Sequence, residues 1–343
     1  MEKRRSFRPI VSETLEGRVV LSRVGAVAGL AAHHVAAARA LPSTSNTPEA
    51  LGPVGALGDS YTDEYRFYPP DRSVARNWVE ILHATRQVSF GPFSLKGRGE
   101  PRDQGFAYNW ARSGATSSDM VRNQLPGLAR QVAEGKIRYA SILIGGDDFL
   151  LLLSGVQRGL IPPAAALPDL LRTEAAAEAN FATAVHTLLA ANPNVRLVVF
   201  NLPDVTILPI ARLGATTPQA RALLAATSQA IQKYNASIAA VAATSDRIAL
   251  VDLAGVTAQT ASSPTGTISF GGRTISLVTP GDDYHDFFLA DGIHVGTVAQ
   301  GIIADLFALA VDTKFGGQLF PPTPQEIIHY ARAIQLHAQH GRR

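Results

Sequence analysis

Cysteine is absent from the 343 residues, which excludes disulfides and thiolate metal sites. Charge is scarce too: Asp, Glu, Lys and Arg make up 17%, below the usual quarter, while apolar residues make up 46%. A sizeable buried core follows. The net charge of +3 is not spread over the chain. Residues 1–40 hold seven Lys/Arg against three Glu, leaving 24 basic and 25 acidic residues, a net of −1, in the remainder. That balance excludes a nucleic-acid partner. No run of about 20 apolar residues occurs, so no integral membrane segment is expected in the mature chain. Repeats of 20–50 residues are lacking, as are Gly-rich loops with phosphate-binding spacing.

What is present begins with a leader. Lys3-Arg4-Arg5 and Arg8 make a basic start, Val24 to Ala32 is a short apolar run, and Ala38-Arg39-Ala40 is an A-x-A-like cleavage site. Residues 1–40 are expected to be an export signal, placing the mature protein outside the cell or in its envelope. Residues 41–52, rich in Pro, Ser, Thr and Asn, read as a linker.

Beyond it, buried-strand runs alternate with amphipathic helices. Val54 to Gly58, Tyr139 to Ile144, Val195 to Phe200 and Ile248 to Leu253 are the main strands, with a shorter one at Phe106 to Trp110. Helices are expected at about 73–83 behind a Ser73 cap, 118–134 with a kink at Pro126, 149–156, 168–191, 218–243, 295–311 and 324–340. Residues 257–281 read as a hairpin insertion around Gly271-Gly272. Alternation of this kind predicts one three-layer α/β/α domain on a parallel sheet.

The first strand stops on a tight turn that presents Ser60, a candidate nucleophile. Gly-rich polar turns also follow the strands at Gly114 and at Asp147, and such strand ends gather on one edge of a doubly wound sheet. Near the C-terminus, Asp291-Gly292-Ile293-His294 places a carboxylate three residues before an imidazole. The acid can then bond Nδ1–H and leave Nε2 free to take a serine proton.

These blocks resemble the GDSL (SGNH) hydrolase family of serine esterases and lipases. Gly58-Asp59-Ser60 matches the first block, with Tyr61 where the family has leucine. Gly114 matches the second, Gly145-Gly146-Asp147-Asp148 the third and Asp291 to His294 the last. The resemblance covers about residues 53–312, with 313–343 as a C-terminal helical extension. It implies a flavodoxin-like parallel sheet, a Ser60–His294–Asp291 triad, and an oxyanion hole from Ser60, Gly114 and Asp147. No cofactor is implied. The substrate would be a small-molecule, lipid or acylated-carbohydrate ester, hydrolysed through an acyl-enzyme. Asp147 stands where the family has a donating asparagine. Either a raised pKa lets its carboxyl donate, or another group fills the hole. A catalytically weak or silent surface binding module is the alternative function. The cluster at 282–286 reads as a solvated acidic loop rather than a metal site, Ser113, Ser117 and Ser118 as turn and cap residues, and the apolar stretches at 149–153 and 205–213 as core.

Overall fold

The computed structural model describes residues 51–68, 72–96 and 104–340. The leader at 1–40 and all but the last two residues of the 41–52 linker lie outside that set.

In chain order the elements are β1 (Val54–Gly58), α1 (Trp78–Arg86), a small ribbon of β2 (Phe93–Ser94) and β3 (Gly105–Phe106), and α2 (Leu125–Ala133). Next come β4 (Tyr139–Leu143), α3 (Gly146–Gln157), α4 (Pro163–Ala191), β5 (Arg196–Phe200), α5 (Pro209–Leu213) and α6 (Pro218–Ala242). The chain closes with β6 (Ile248–Val251), α7 (Leu253–Ala261), the hairpin β7 (Thr267–Phe270) and β8 (Arg273–Ser276), α8 (Thr297–Phe315) and α9 (Pro324–His340).

A parallel four-stranded sheet in the order β1-β4-β5-β6 forms the centre. Side chains alternate along each strand, so every strand feeds two cores. Leu57, Ile142, Leu197 and Val199 point to one face with Phe181 and Tyr234 of α4 and α6. Val54, Tyr139, Val198 and Phe200 point to the other, against Trp78 of α1 and Phe307 of α8. This is the expected three-layer α/β/α sandwich of the SGNH hydrolase fold. The C-terminal segment is part of it, since Ile327, Ile328 and Ala331 of α9 join the first core.

Several expectations shift. The first helix begins at Trp78 rather than 73, because Asn77 and Glu80 form the capping box there. Phe106 to Trp110 contracts to β3 and a single bridge between Ala56 and Asn109, as the Asn109 side chain bonds the Thr62 carbonyl and the Ala111 amide. Residues 253–261 form a helix, capped by Asp252, ahead of the β7–β8 hairpin. The helix carrying Pro126 runs on from Ser117 to Ala133, widened into a π turn at Met120–Gln124. A proline has no N–H to close the ordinary ladder, and the widening absorbs that loss.

Candidate active site

Ser60 follows β1 directly and is 7% exposed. The end of the strand is fixed by a side chain as well as by backbone: Gly58 pairs with Leu143 of β4, and the Arg112 amide donates to the Gly58 carbonyl at 3.1 Å. Gly58 N–H donates to Gln124 Oε1 at 3.0 Å, and Gln124 Nε2 donates to the Gly58 carbonyl at 2.9 Å. Tyr61, in the family's leucine position, reaches across the site and donates its hydroxyl to the Ile293 carbonyl at 2.9 Å. The serine turn is thereby tied to the turn that carries His294.

In that turn Gly292 has φ +66°, a left-handed value that glycine adopts without strain. The tight turn lets Asp291 accept from the amides of Ile293 and His294, both at 2.9 Å, and from His294 Nδ1 at 2.5 Å. Burial pushes the Asp291 carboxyl up, but the hydrogen bond to His294, its charge and the two amides outweigh it and hold the group at about 2. Asp291 is therefore ionised and orients the ring. His294 is packed by Tyr61 and, edge-on, by Tyr65, with centroids 6.3 and 5.9 Å away. Its Nε2 is buried and makes no hydrogen bond. No hydrogen bond joins it to Ser60 Oγ.

Gly114 has φ +80° with open space where a Cβ would stand. Neither its amide nor that of Ser60 donates to another protein group among the described residues. Just before it, Ser113 is clamped twice. Its amide donates to Asp63 Oδ2 and its hydroxyl accepts from Arg72 Nη2, each at 2.9 Å. Asp63 also accepts from the Tyr68 hydroxyl. Arg72 is 6% exposed and stacks on Tyr68 at 3.9 Å, with Nη1 buried and unpartnered. Ser117 and Ser118 receive hydrogen bonds from Asn180, and Thr116 caps the following helix, so this stretch has the turn and cap roles its sequence suggests.

Asp147 and Asp148 fall in the first turn of α3, which starts at Gly146 rather than at 149. Asp148 is committed to Ser117, accepting from its amide and its hydroxyl at 2.7 Å each. Asp147 instead lines the same cavity as Ser60. Burial, then Asp148, raise its carboxyl to about 6, against the pull of Arg72. Asp59, 6% exposed, lines the same cavity, and burial followed by the Asp147 charge drives its carboxyl well up.

The cavity holds about 380 Å³ and is mostly apolar. Leu150, Val205, Ile207 and Leu208 are on its wall. The segments expected as core are largely that: Phe149, Leu152, Leu153, Val205, Leu208 and Ala211 belong to the first core, though Val205 and Leu208 also border the cavity, as do the partly buried Leu150 and Ile207. The β7–β8 insertion adds Leu277 and Val278 to the same wall. In the acidic loop, Asp283 bonds His285 at 2.6 Å and accepts from Gln335 at 3.1 Å. Arg72, Asp63 and the role of Asp59 were not found in the sequence. Asp59 was visible within the first block; nothing local marks the other two.

Among solved structures, the chain is similar to the lipase Lip_vut3 from a goat rumen metagenome, at 15% identity and a TM-score of 0.44, covering 78% of this chain and 99% of that one. It is also similar to an extracellular lipase from Streptomyces rimosus (21%, 0.39, covering 59% and 80%). A family 3 carbohydrate esterase from Clostridium thermocellum is a third (15%, 0.39, covering 77% and 96%). No curated protein matches the sequence. The family model for GDSL-like lipase/acylhydrolase matches residues 54–307, from the serine strand through the Asp291–His294 turn and most of α8, and the chain belongs to that family.

Proposed function

We propose that the chain is an exported serine esterase or lipase that hydrolyses carboxylic esters through an acyl-enzyme on Ser60. Family membership supports ester hydrolysis. The observation that carries the finer reading is the Asp291–His294 pair, whose buried, unpartnered Nε2 belongs to a turn joined to the Ser60 turn through Tyr61.

In this reading Ser60 Oγ attacks the ester carbonyl carbon while Nε2 takes its proton. The negative charge on the carbonyl oxygen is met by the Ser60 and Gly114 amides and by the Asp147 carboxyl in its protonated form. Collapse breaks the C–O bond, and the imidazolium returns the proton to the leaving alcohol. Water then enters by the same sequence and releases the acid. Asp291 keeps the ring oriented and balances its charge.

Turnover of p-nitrophenyl acetate, butyrate and longer esters by the wild-type chain, lost in Ser60→Ala, is the expected result. Activity that survives in Ser60→Ala refutes the serine mechanism. One observation favours a second reading, a silent or weak binding module: an acid occupies the third oxyanion position. Absence of turnover on any ester or acetylated glycan at pH 5, where Asp147 is protonated, would select it.

A further inference from the structure

The helices beside the site are longer than the sheet they cover. At about 1.5 Å per residue, the 29 residues of α4 span ~43 Å, whereas a five-residue strand spans ~17 Å. Asn180 of α4 bonds Ser117 and Ser118 at the level of the site. The preceding residues of α4, 163–179, with α3 beside them, add ~25 Å of helix beyond that point.

This end is apolar on its outside. Of the twelve large apolar side chains exposed among the described residues, six belong to it or to the cavity rim: Leu151, Leu160, Leu167, Leu171, Leu213 and Val278. Leu160 sits in the turn between α3 and α4 and is 75% exposed; Leu213, on α5, is 76% exposed. Their segments adjoin, since a Cβ on Gly214 would fall 1.9 Å from Gln157 at the end of α3. Val278 lines the cavity, and Leu151 and Leu213 each follow a lining residue, Leu150 and Arg212. The exposed charge here is mainly basic: Arg158, Arg172, Arg212 and Arg221 are exposed, Asp169 pairs with Arg172, Glu174 is buried beside Lys233 and Glu178 is half-buried. The rest of the chain beyond the leader lacks that excess.

We propose that this end docks on an anionic lipid surface, with the leucines entering the acyl layer and Arg158, Arg212 and Arg221 meeting the headgroups. Exposed apolar groups continuous with a binding cavity and flanked by Arg match such an interface. The ester substrate is then an acyl lipid, passed from the surface into the apolar cavity beside Ser60. Only this last step rests on the esterase reading.

The test uses the full-length Ser60→Ala chain, so that binding is read without turnover. It is sedimented with phosphatidylcholine vesicles with and without phosphatidylglycerol. The leader is common to every variant and cancels in the comparison. Leu160→Ser with Leu213→Ser should lower the partition at least about tenfold. Arg158→Gln and Arg221→Gln should each cost about fivefold on the anionic vesicles and little on the neutral ones. With Ser60 restored, the leucine pair should leave kcat/KM on soluble p-nitrophenyl butyrate unchanged and slow hydrolysis of vesicle-borne esters. A partition untouched by the leucine pair overturns the proposal. So does an absence of binding to either vesicle, the outcome expected if the surface meets another protein.

Discussion

Replacing Asp147 by Asn probes the least usual feature of the site. Asp148, Arg72 and Asp119 act on the Asp147 carboxyl, whose position near 6 results chiefly from burial. Only its protonated form can donate to an oxyanion. Above that value the protonated fraction falls about tenfold per pH unit: roughly nine-tenths at pH 5, half at pH 6, a tenth at pH 7 and a hundredth at pH 8. An amide donates at every pH. With the introduced amide and the neutral Asp147 carboxyl equal as donors, the ratio of kcat/KM, Asp147→Asn over wild type, should be ~1 at pH 5, ~2 at pH 6, ~10 at pH 7 and ~100 at pH 8. The last figure is about 2.7 kcal/mol, the size of one lost oxyanion donor. Initial rates on p-nitrophenyl butyrate at constant ionic strength give the four points. A flat ratio, or a variant slower throughout, would refute the assignment of Asp147 as a protonated donor.

Arg72→Gln removes both the bond to Ser113 and the positive charge that lowers Asp147. Its kcat/KM at pH 5 should fall by roughly 5–30-fold as the Gly114 amide loses its brace, and the decline with rising pH should move to higher pH. Arg72→Lys should keep the wild-type pH profile with a smaller loss; an Arg72→Gln profile identical to wild type in height and shape contradicts the bracing role. Asp305 of α8 is 3% exposed, and burial raises its carboxyl to about 7, against the pull of Arg86. A carboxyl raised on folding costs stability as pH climbs from its unfolded value near 4 to its folded value, here at most ~4 kcal/mol. Asp305→Asn should therefore raise Tm at pH 8 and not at pH 4, and an equal shift at both pH values contradicts this.

The serine strand and the Asp291–His294 turn were legible in the sequence because their chemistry is local. An apolar run ending in a hydroxyl, and an acid three residues before an imidazole, need no tertiary information. Element ends were less so. Ser73 and Asn77 are both good caps, and only Asn77 has a Glu three residues on that folds back to it. Residues 253–261 carry Thr and Gly that suit a hairpin, yet Asp252 caps them as a helix. Leu150 and Ile207 look like core in any window, since facing a cavity and facing a core use the same side chains. The effect of the Asp147 charge on Asp59, and the bond of Arg72 to Ser113, arise only when the strand ends meet. Spacing carries no trace of either.

The π turn at Met120–Gln124 has a consequence for the nucleophile that lies outside the helix. A widened turn changes the angular phase of everything after it by about 100° relative to a regular helix of the same length. Gln124, at the end of that turn, points inward and supplies an acceptor for the Gly58 amide and, beside the Arg112 amide, a donor for the Gly58 carbonyl. Removing one residue between 117 and 124 would leave the helix intact while swinging Gln124 off the Gly58 peptide. The end of β1, two residues before Ser60, is thus indexed to a residue count in another element. Insertions and deletions there act on the serine, whereas conservative surface substitutions in the same turn do not.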